Sequence, residues 1–372
     1  MFTPLDQSFM RRALELAGQG LYSTTPNPRV GALVVKDGRT VGEGFHQAAG
    51  ESHAEVNAIR DARAKNGSDA VRGSTVYVTL EPCSHHGRTP PCVDLLLAEG
   101  VARVVAAMED PNPKVAGRGF ARLREAGVDV RVGLLAAEAH ELNIGFVARM
   151  MRGTPWVRLK VAASLDGKTA LSNGKSQWIT GPEARRDGHA YRARACAILS
   201  GIGTVMEDNP QLNVRDIITP RQPLKVIVDS RLQMPADARV LAEGAVLIAC
   251  AIDDAAARAR IHAAADAHGT RLEFITLPNP AGKVALGDLM RELGARGLNE
   301  IHVESGFKLN GSMLREGCVD ELLVYFAASI IGDSGQGMFN LPQLDNLDER
   351  RRLKIHNVSQ LGDDLRLIVR MA

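Results

Sequence analysis

The sequence predicts two α/β units joined end to end, and three observations lead there. Its 372 residues exceed the size at which a single hydrophobic core stops growing. Strand-like and helix-like segments alternate through the first part of the chain, the pattern of an α/β sandwich around one sheet. After a basic stretch with glycine and proline, RMMRGTP at 149–155, a second alternating series begins. The units are taken as 1–148 and 149–372.

In the first unit, Phe9, Ala13, Leu16 and Ala17 mark one face of a helix. VGALVV (30–35) and VGEGFH (41–46) form a hairpin about Asp37-Gly38, a strong turn signal. HAEVNAIRDARA (53–64) is a helix, STVYVTL (74–80) a β-branched strand, and CVDLLLAEG (92–100) a helix stopped at Gly100. A strand (101–108), a helix (120–127) and a strand beginning at Val128 follow. The second series opens with the strand WVRLKVAAS (156–164) and a helix introduced by Thr180 and Pro182. Strands follow at 197–200, 225–229, 245–251, 300–304, 321–329 and 365–371, with an alanine-rich helix at 253–269.

Lysine and arginine number 45 against 43 acidic residues, a net charge of +2, so no global pull toward nucleic acid or membrane is expected. The N-terminal segment carries Asp6 and Glu15 among helix-spaced apolar residues and reads as neither signal peptide nor membrane anchor. No apolar run approaches the ~18 residues needed to span a bilayer. Five cysteines without an export signal point to a reduced, cytoplasmic protein. Paired cysteines there suggest metal or catalysis before disulfides.

The densest chemistry lies in PCSHHGRTPPC (82–92). The strand before it delivers Glu81-Pro82-Cys83, and Cys92 opens the next helix, so both thiols sit at strand-to-helix junctions that favour thiolate. Tetrahedral zinc with an open position needs one further protein ligand. His53 heads another helix, and about 100° of turn per residue sets Glu55 apart from it. One of the two can bind metal while the other leans over a bound water. This is the H-x-E…P-C pattern of zinc deaminases. A closed zinc knuckle completed by His85 or His86, or separate core residues with no metal, is the structural alternative, but a structural site gives Glu55 no purpose.

TTPNPRVGALVV, GEGFHQAAGESHAEV, TLEPCSHHGRTPPC and MEDPNPKVAGRG closely resemble the deaminase half of the bifunctional riboflavin-biosynthesis deaminase–reductases. LKVAASLDGKTA, SQWITGPEARR and VESG extend the resemblance into the second half. The resemblance implies a cytidine-deaminase-like α/β/α sandwich followed by a dihydrofolate-reductase-like α/β domain. It implies Zn²⁺ on His53, Cys83 and Cys92, with Glu55 passing a proton from water to leaving ammonia. Asn27, His46, His85, Arg88 and Asp110 are the implied substrate contacts, Arg88 as a partner for a ribose phosphate.

By residues alone, the second half offers two glycine clusters, SGIGT (200–204) and ESGFKLNGS (304–312), each between a strand and a helix. That context suits a phosphate at a helix N-terminus, or an ordinary turn, and neither is a full G-x-G-x-x-G. The resemblance implies NADPH-dependent reduction of the sugar of the deaminated product, from ribosyl to ribityl. It places Ala162, Trp178, Thr204, Asp208, Ser230 and Gly306 on the cofactor, and Ser176, Arg192, Leu212, Arg215 and Glu304 on the substrate. Lys160 with Asp208 or Glu304 are candidates for proton handling during ring opening, and Trp178 has a core aromatic as its plainer reading. Arg231, next to Ser230, suits a 2′-phosphate. Phe307-Lys308 stands where relatives commonly show Pro-Thr, and Lys308 is a candidate contact to the cofactor phosphates.

The substrate expected is therefore a small phosphorylated pyrimidine, with no nucleic acid or membrane partner, and the protein a homo-oligomer. A nucleic-acid or nucleoside deaminase with an accessory domain is the first alternative. Deaminases of that kind separate the two cysteines by two residues, whereas the spacer here is eight. A metal-stabilised binding protein without turnover is the second, and Glu55 argues against it.

Overall fold

The structure is a computed structural model that describes residues 2–85, 90–113 and 115–372. The chain divides into two compact units, residues 1–153 and 154–372. No helix among the described residues is long and apolar enough to cross a membrane.

The first unit runs α1 (Pro4–Gln19), β1 (Gly31–Lys36), β2 (Arg39–Phe45), α2 (Ala54–Asn66), β3 (Thr75–Val78), α3 (Cys92–Ala98), β4 (Arg103–Ala106), α4 (Arg118–Glu125), β5 (Asp129–Val132), α5 (Ala136–Leu142) and α6 (Ile144–Arg152). Thr3 and Asp6 form a capping box that starts α1. The β1–β2 turn has positive φ at both Asp37 and Gly38, as a tight hairpin with that dipeptide requires. Strand order is β2-β1-β3-β4-β5, with β1 antiparallel to both neighbours and β3, β4 and β5 parallel. Alternation along the strands sorts the core into two layers. Ala32, Val34, Val76, Val78, Val104 and Ala106 pack with residues of α2, α3 and α4. Leu33, Val35, Tyr77 and Val105 face the other way, with α1 and α5. Two glycines let α2 lie directly on β2: a Cβ on Gly42 would fall 2.3 Å from Ala58 O, and one on Gly44 2.3 Å from Ala58 N.

The second unit runs β6 (Trp156–Ser164), β7 (Lys168–Ala170), α7 (Pro182–Arg194), β8 (Ala197–Gly201), α8 (Ile202–Asp208), β9 (Leu224–Val228), β10 (Ala245–Cys250), α9 (Ala255–Asp266), β11 (Arg271–Thr276), α10 (Leu286–Ala295), β12 (Glu300–Glu304), α11 (Phe307–Arg315), β13 (Glu321–Ala327), β14 (Gln336–Gly337), β15 (Leu353–Leu361) and β16 (Asp364–Met371). Nine strands form one sheet in the order β11-β10-β9-β8-β12-β6-β13-β16-β15, parallel except for the last two pairings. One face is apolar at its centre, where Val157, Leu159 and Val161 join Leu289, Leu293 and Met313 of α10 and α11. The opposite face is apolar over β8–β10, where Ile198, Ile227 and Ile248 pack with Ile261 of α9.

Beneath α7 that second face turns polar. Glu300, His302 and Glu304 alternate along β12, and Arg158 and Lys160 along β6, with His302 opposite Arg158 and Glu304 opposite Lys160. Tyr191, Arg192 and Arg194 of α7 close over them.

Most expected elements occur with ends shifted by a few residues, but α5, α6, α10, β7, β11, β14 and β15 have no counterpart in the sequence reading. The stretch read as a linker is helical as far as Arg152. The same helix, α6, buries Ile144, Val147 and Ala148 ahead of that stretch, which ties its start to the first unit.

Candidate functional sites

Three helix and strand ends converge in the first unit. The chain leaves β3 through Glu81-Pro82-Cys83, α3 starts at Cys92, and His53 is the extended N-cap of α2. The ligand atoms of His53, Cys83 and Cys92 all lie within 4.8 Å of one another. His53 Nδ1 is 3.3 Å from Cys92 Sγ and 3.5 Å from Cys83 Sγ. Glu55, in the first turn of α2, is 4% exposed. A hydrogen bond from the Cys92 thiol, working against burial and aided by the His53 ring, holds the Cys83 thiol down to about 4. The Cys92 thiol, donor in that bond and buried, is pushed well above its usual value. Burial, reinforced by the negative charge on Cys83, pushes the Glu55 carboxyl up. A thiolate, a second thiol and an imidazole at this separation match the donors zinc takes, so the residues fit that ion.

Asn27 and His46 are brought to the same place. His46 Nδ1 lies 3.1 Å from the Ser52 carbonyl, which can only accept, so that nitrogen carries the proton. Nε2 then accepts from Asn27 Nδ2 at 3.0 Å. The His46 ring meets the His53 ring edge-on, with centroids 5.6 Å apart. Burial raises the Asp110 carboxyl, with Glu81 and Cys83 adding to the effect. His85 is exposed. Arg88 and His86 lie outside the described residues.

Sequence reasoning missed Glu81. Its carboxylate, 4% exposed, accepts the backbone N–H groups of Asp110, Gly117, Gly119 and Phe120. An acid directly before Pro82-Cys83 was the available signal.

In the second unit the structure brings Lys160, Arg192 and Glu304 together and leaves Asp208 apart from them. Arg192 Nη2 donates to Glu304 Oε2 at 2.7 Å, its Nε bonds Oε1, and its Nη1 reaches Asn213 O at 2.9 Å. Burial alone would raise the Glu304 carboxyl; Arg192, His302 and Lys160 outweigh it and hold the group well below the usual carboxylate range. Burial lowers the Lys160 ammonium, with Glu304 opposing. Asp208 is exposed at the end of α8. His302, also missed, was signalled by the period-two spacing of Glu300, His302 and Glu304.

The remaining residues cluster less tightly. Gly306, the N-cap of α11, donates its N–H to Thr204 Oγ1 at 3.1 Å, and no side chain caps that helix. Free N–H groups at such a terminus fit the phosphates of a dinucleotide. Lys308 stands exposed in the first turn of α11. Ser230 Oγ accepts from Val284 N at 3.2 Å, and Arg231 beside it is exposed. Trp178 is 71% exposed under the Arg185 guanidinium, so the reading of it as a core aromatic is overturned. The Leu212 side chain is buried in the core shared with Ile198 and Val205. Ala162 and Ser176 are half-buried, and Arg215 is exposed, bonding Asn213 Oδ1 at 2.7 Å.

Residues 3–108 match the family described as the cytidine and deoxycytidylate deaminase zinc-binding region, and residues 155–367 match the RibD C-terminal domain. The riboflavin biosynthesis protein RibD of Escherichia coli K12 is 44% identical over 97% of this chain and 98% of its own. That of Haemophilus influenzae is 43% identical over 98% and 97%. Acinetobacter baumannii RibD superposes with a TM-score of 0.89 at 40% identity, covering 99% of both chains. A Thermotoga maritima diaminohydroxyphosphoribosylaminopyrimidine deaminase/5-amino-6-(5-phosphoribosylamino)uracil reductase does so at 0.85, 35% identical, with 99% of both covered.

Proposed function

The chain belongs to the riboflavin biosynthesis protein RibD family, and from that premise we propose how its residues share out two consecutive reactions. It is a bifunctional enzyme of riboflavin biosynthesis, a zinc deaminase and an NADPH-dependent reductase in one chain. The first reaction hydrolyses the amino group of 2,5-diamino-6-(5-phosphoribosylamino)pyrimidin-4(3H)-one. The second reduces the ribosyl group of that product to ribityl. The observation that carries the reading is the buried Glu55 beside the His53–Cys83–Cys92 triad.

In the deaminase half, His53, Cys83 and Cys92 would hold zinc. Zinc, when bound, lowers the pKa of water enough to make a nucleophile near neutral pH. Glu55, its carboxyl raised by burial, is the proton carrier of this half: its carboxylate would accept a proton from water and return it to the departing ammonia. Asn27, fixed by His46, meets the pyrimidine together with Asp110, while His85 and Arg88 meet the phosphate side.

In the reductase half, NADPH supplies the hydride when bound. Thr204, Gly306 and Lys308 receive its pyrophosphate, Ser230 and Arg231 its 2′-phosphate, and Ala162, Trp178 and Asp208 the rest. Lys160 hands a proton to the sugar ring oxygen as the ring opens, and its lowered ammonium supports that role. Glu304 and Arg192 hold the opened sugar, with Ser176, Leu212 and Arg215 around it.

A small phosphorylated pyrimidine, not nucleic acid, is favoured by the net charge of +2 and the eight-residue cysteine spacer. No disulfide joins any of the five cysteines, in keeping with the cytoplasm. Exposed Leu353, Ile355 and Val358 on edge strand β15 favour a homo-oligomer. One coupled assay tests the whole: ammonia release from the diaminopyrimidinone ribotide must precede NADPH consumption, and Glu55→Gln must stop the first while sparing reduction of supplied deaminated product.

A further inference from the structure

His302 sits at the middle of β12, facing α7, with none of its side chain exposed. Tyr191 and Arg192 face it from α7, Arg158 and Lys160 flank it from β6, and Glu304 lies two residues on along its own strand. Its ring stacks on Tyr191, centroids 6.4 Å apart and planes 14° from parallel. The Arg158 guanidinium lies 4.9 Å from the centroid of the same Tyr191 ring, and its charge is met by Glu300 and Glu321. Burial lowers the imidazole below its ordinary value, with Glu304 opposing and Arg192 and Arg158 adding to it, so the ring is uncharged near neutral pH.

A neutral imidazole has one N–H to place. Nδ1 meets no hydrogen-bonding group, whereas Nε2 lies 3.1 Å from Glu304 Oε1. The approach has the length of a hydrogen bond, but the N–H is not aligned to make one, so both ring nitrogens are unpaired in this structure. Burying an imidazole with a nitrogen left unpaired is costly, and an apolar residue on β12 would avoid that cost. Glu304 is the acceptor within reach that gives the side chain a use.

We propose that His302 is a positioning residue of the reductase half, holding Glu304 from behind. Arg192 Nε donates to Oε1, and His302 Nε2 approaches the same oxygen to 3.1 Å without hydrogen-bond alignment, so that side of the carboxylate is occupied. Oε2 takes Arg192 Nη2 and, among the described residues, no second donor, so one lone pair stays open to the substrate. The inference rests on the assignment of Glu304 to the substrate.

Reduction of supplied deaminated product is followed against pH in four forms of the full chain. His302→Phe keeps a ring against Tyr191 and removes the N–H; His302→Gln keeps a donor. Without the donor, the Glu304 carboxyl is less acidic. The acid limb of the reductase profile therefore moves to higher pH and kcat falls roughly tenfold, with KM for NADPH unchanged. His302→Gln restores most of both, and ammonia release is the same throughout. A folded His302→Phe protein whose acid limb and kcat match wild type overturns the proposal. So does an equal loss in the Phe and Gln forms with no shift in pH, which marks a packing role alone. Should His302→Phe not fold, His302→Asn, polar but too short to reach Oε1, takes its place with the same two outcomes. Glu304→Gln, the fourth form, separates the failures: if it reduces normally, the assignment of Glu304 itself falls.

Discussion

Cys92 donates its backbone N–H to Cys83 Sγ at 3.3 Å, so one sulfur of the triad is stabilised by the backbone that carries the other. The contact exists because Cys92 is the first residue of α3, where N–H groups have no partner within the helix. The two thiols are unequal: the bond from the Cys92 thiol, with the His53 ring and this N–H, outweighs burial and lowers Cys83, while the same bond and burial raise Cys92. Glu55, buried beside them in the first turn of α2, is not one of the three ligands, so removal of a ligand and removal of the acid should have different consequences.

Cys83→Ser or Cys92→Ser is expected to lose about one zinc per chain, because three protein ligands leave no spare anchor. Glu55→Gln should keep its zinc and lose ammonia release. Metal analysis of the purified variants beside a deamination assay checks both. Zinc missing from Glu55→Gln would make that carboxylate a ligand and not a proton carrier.

The triad was legible because its residues are adjacent to local signals: a strand, a proline and two helix starts. His46 and Asn27 were reached only through resemblance, since their contact spans a loop that no periodicity describes. Glu81 and His302 escaped for a different reason. Each is a polar residue buried by tertiary packing, and polarity in sequence ordinarily argues for exposure. The helix α6 was hidden by its basic end, Arg149 and Arg152, although Ile144, Val147 and Ala148 spaced along one face were there to be read. Strand β15 is mostly exposed at a sheet edge, so burial imposed no alternation on it.

NADPH should be preferred to NADH, and Arg231→Ala should narrow the preference. A guanidinium pairs with a phosphate dianion, and the hydroxyl of NADH offers it nothing comparable. Arg231 is exposed at the end of β9, free to swing toward a 2′-phosphate. The ratio of kcat/KM for the two cofactors, wild type against variant, is the measurement. Equal efficiency in wild type would remove the assignment.

Lys308→Ala should weaken NADPH several-fold and leave deamination alone. The backbone N–H groups of the α11 terminus carry most of the phosphate contact and do not depend on side-chain type. Lys308 adds a screened ionic contact of about 0.5–1 kcal/mol, typical of an exposed pair. Its contribution should therefore shrink as salt rises. NADPH titrations at low and high salt decide it; identical affinities at low salt would leave Lys308 a surface residue.

Glu81 should prove as important to the deaminase half as the residues that touch its ligands. Its Oε2 accepts from Asp110 N at 3.1 Å and Gly117 N at 2.9 Å, and its Oε1 from Gly119 N at 2.8 Å and Phe120 N at 3.4 Å. One carboxylate thereby joins the segment entering Cys83 to the Asp110 loop and the first turn of α4. Gly119 is pressed so close that a Cβ there would fall 2.2 Å from Pro82 O, so the loop has no room to find other partners. Glu81→Gln replaces one oxygen with an N–H₂ group facing N–H donors, and two buried donors lose their acceptor. We expect a destabilisation of about 2–4 kcal/mol, the range for stranded buried polar groups. Glu81→Asp keeps the charge but is one methylene too short to serve both oxygens' partners, and should fall between. The two units need not unfold together, so a single melting temperature is a poor gauge. Zinc retention and ammonia release on heating should fail several degrees earlier in Glu81→Gln, while reductase activity fails at the wild-type temperature. Simultaneous loss of both activities would show that Glu81 supports more than the half it sits in.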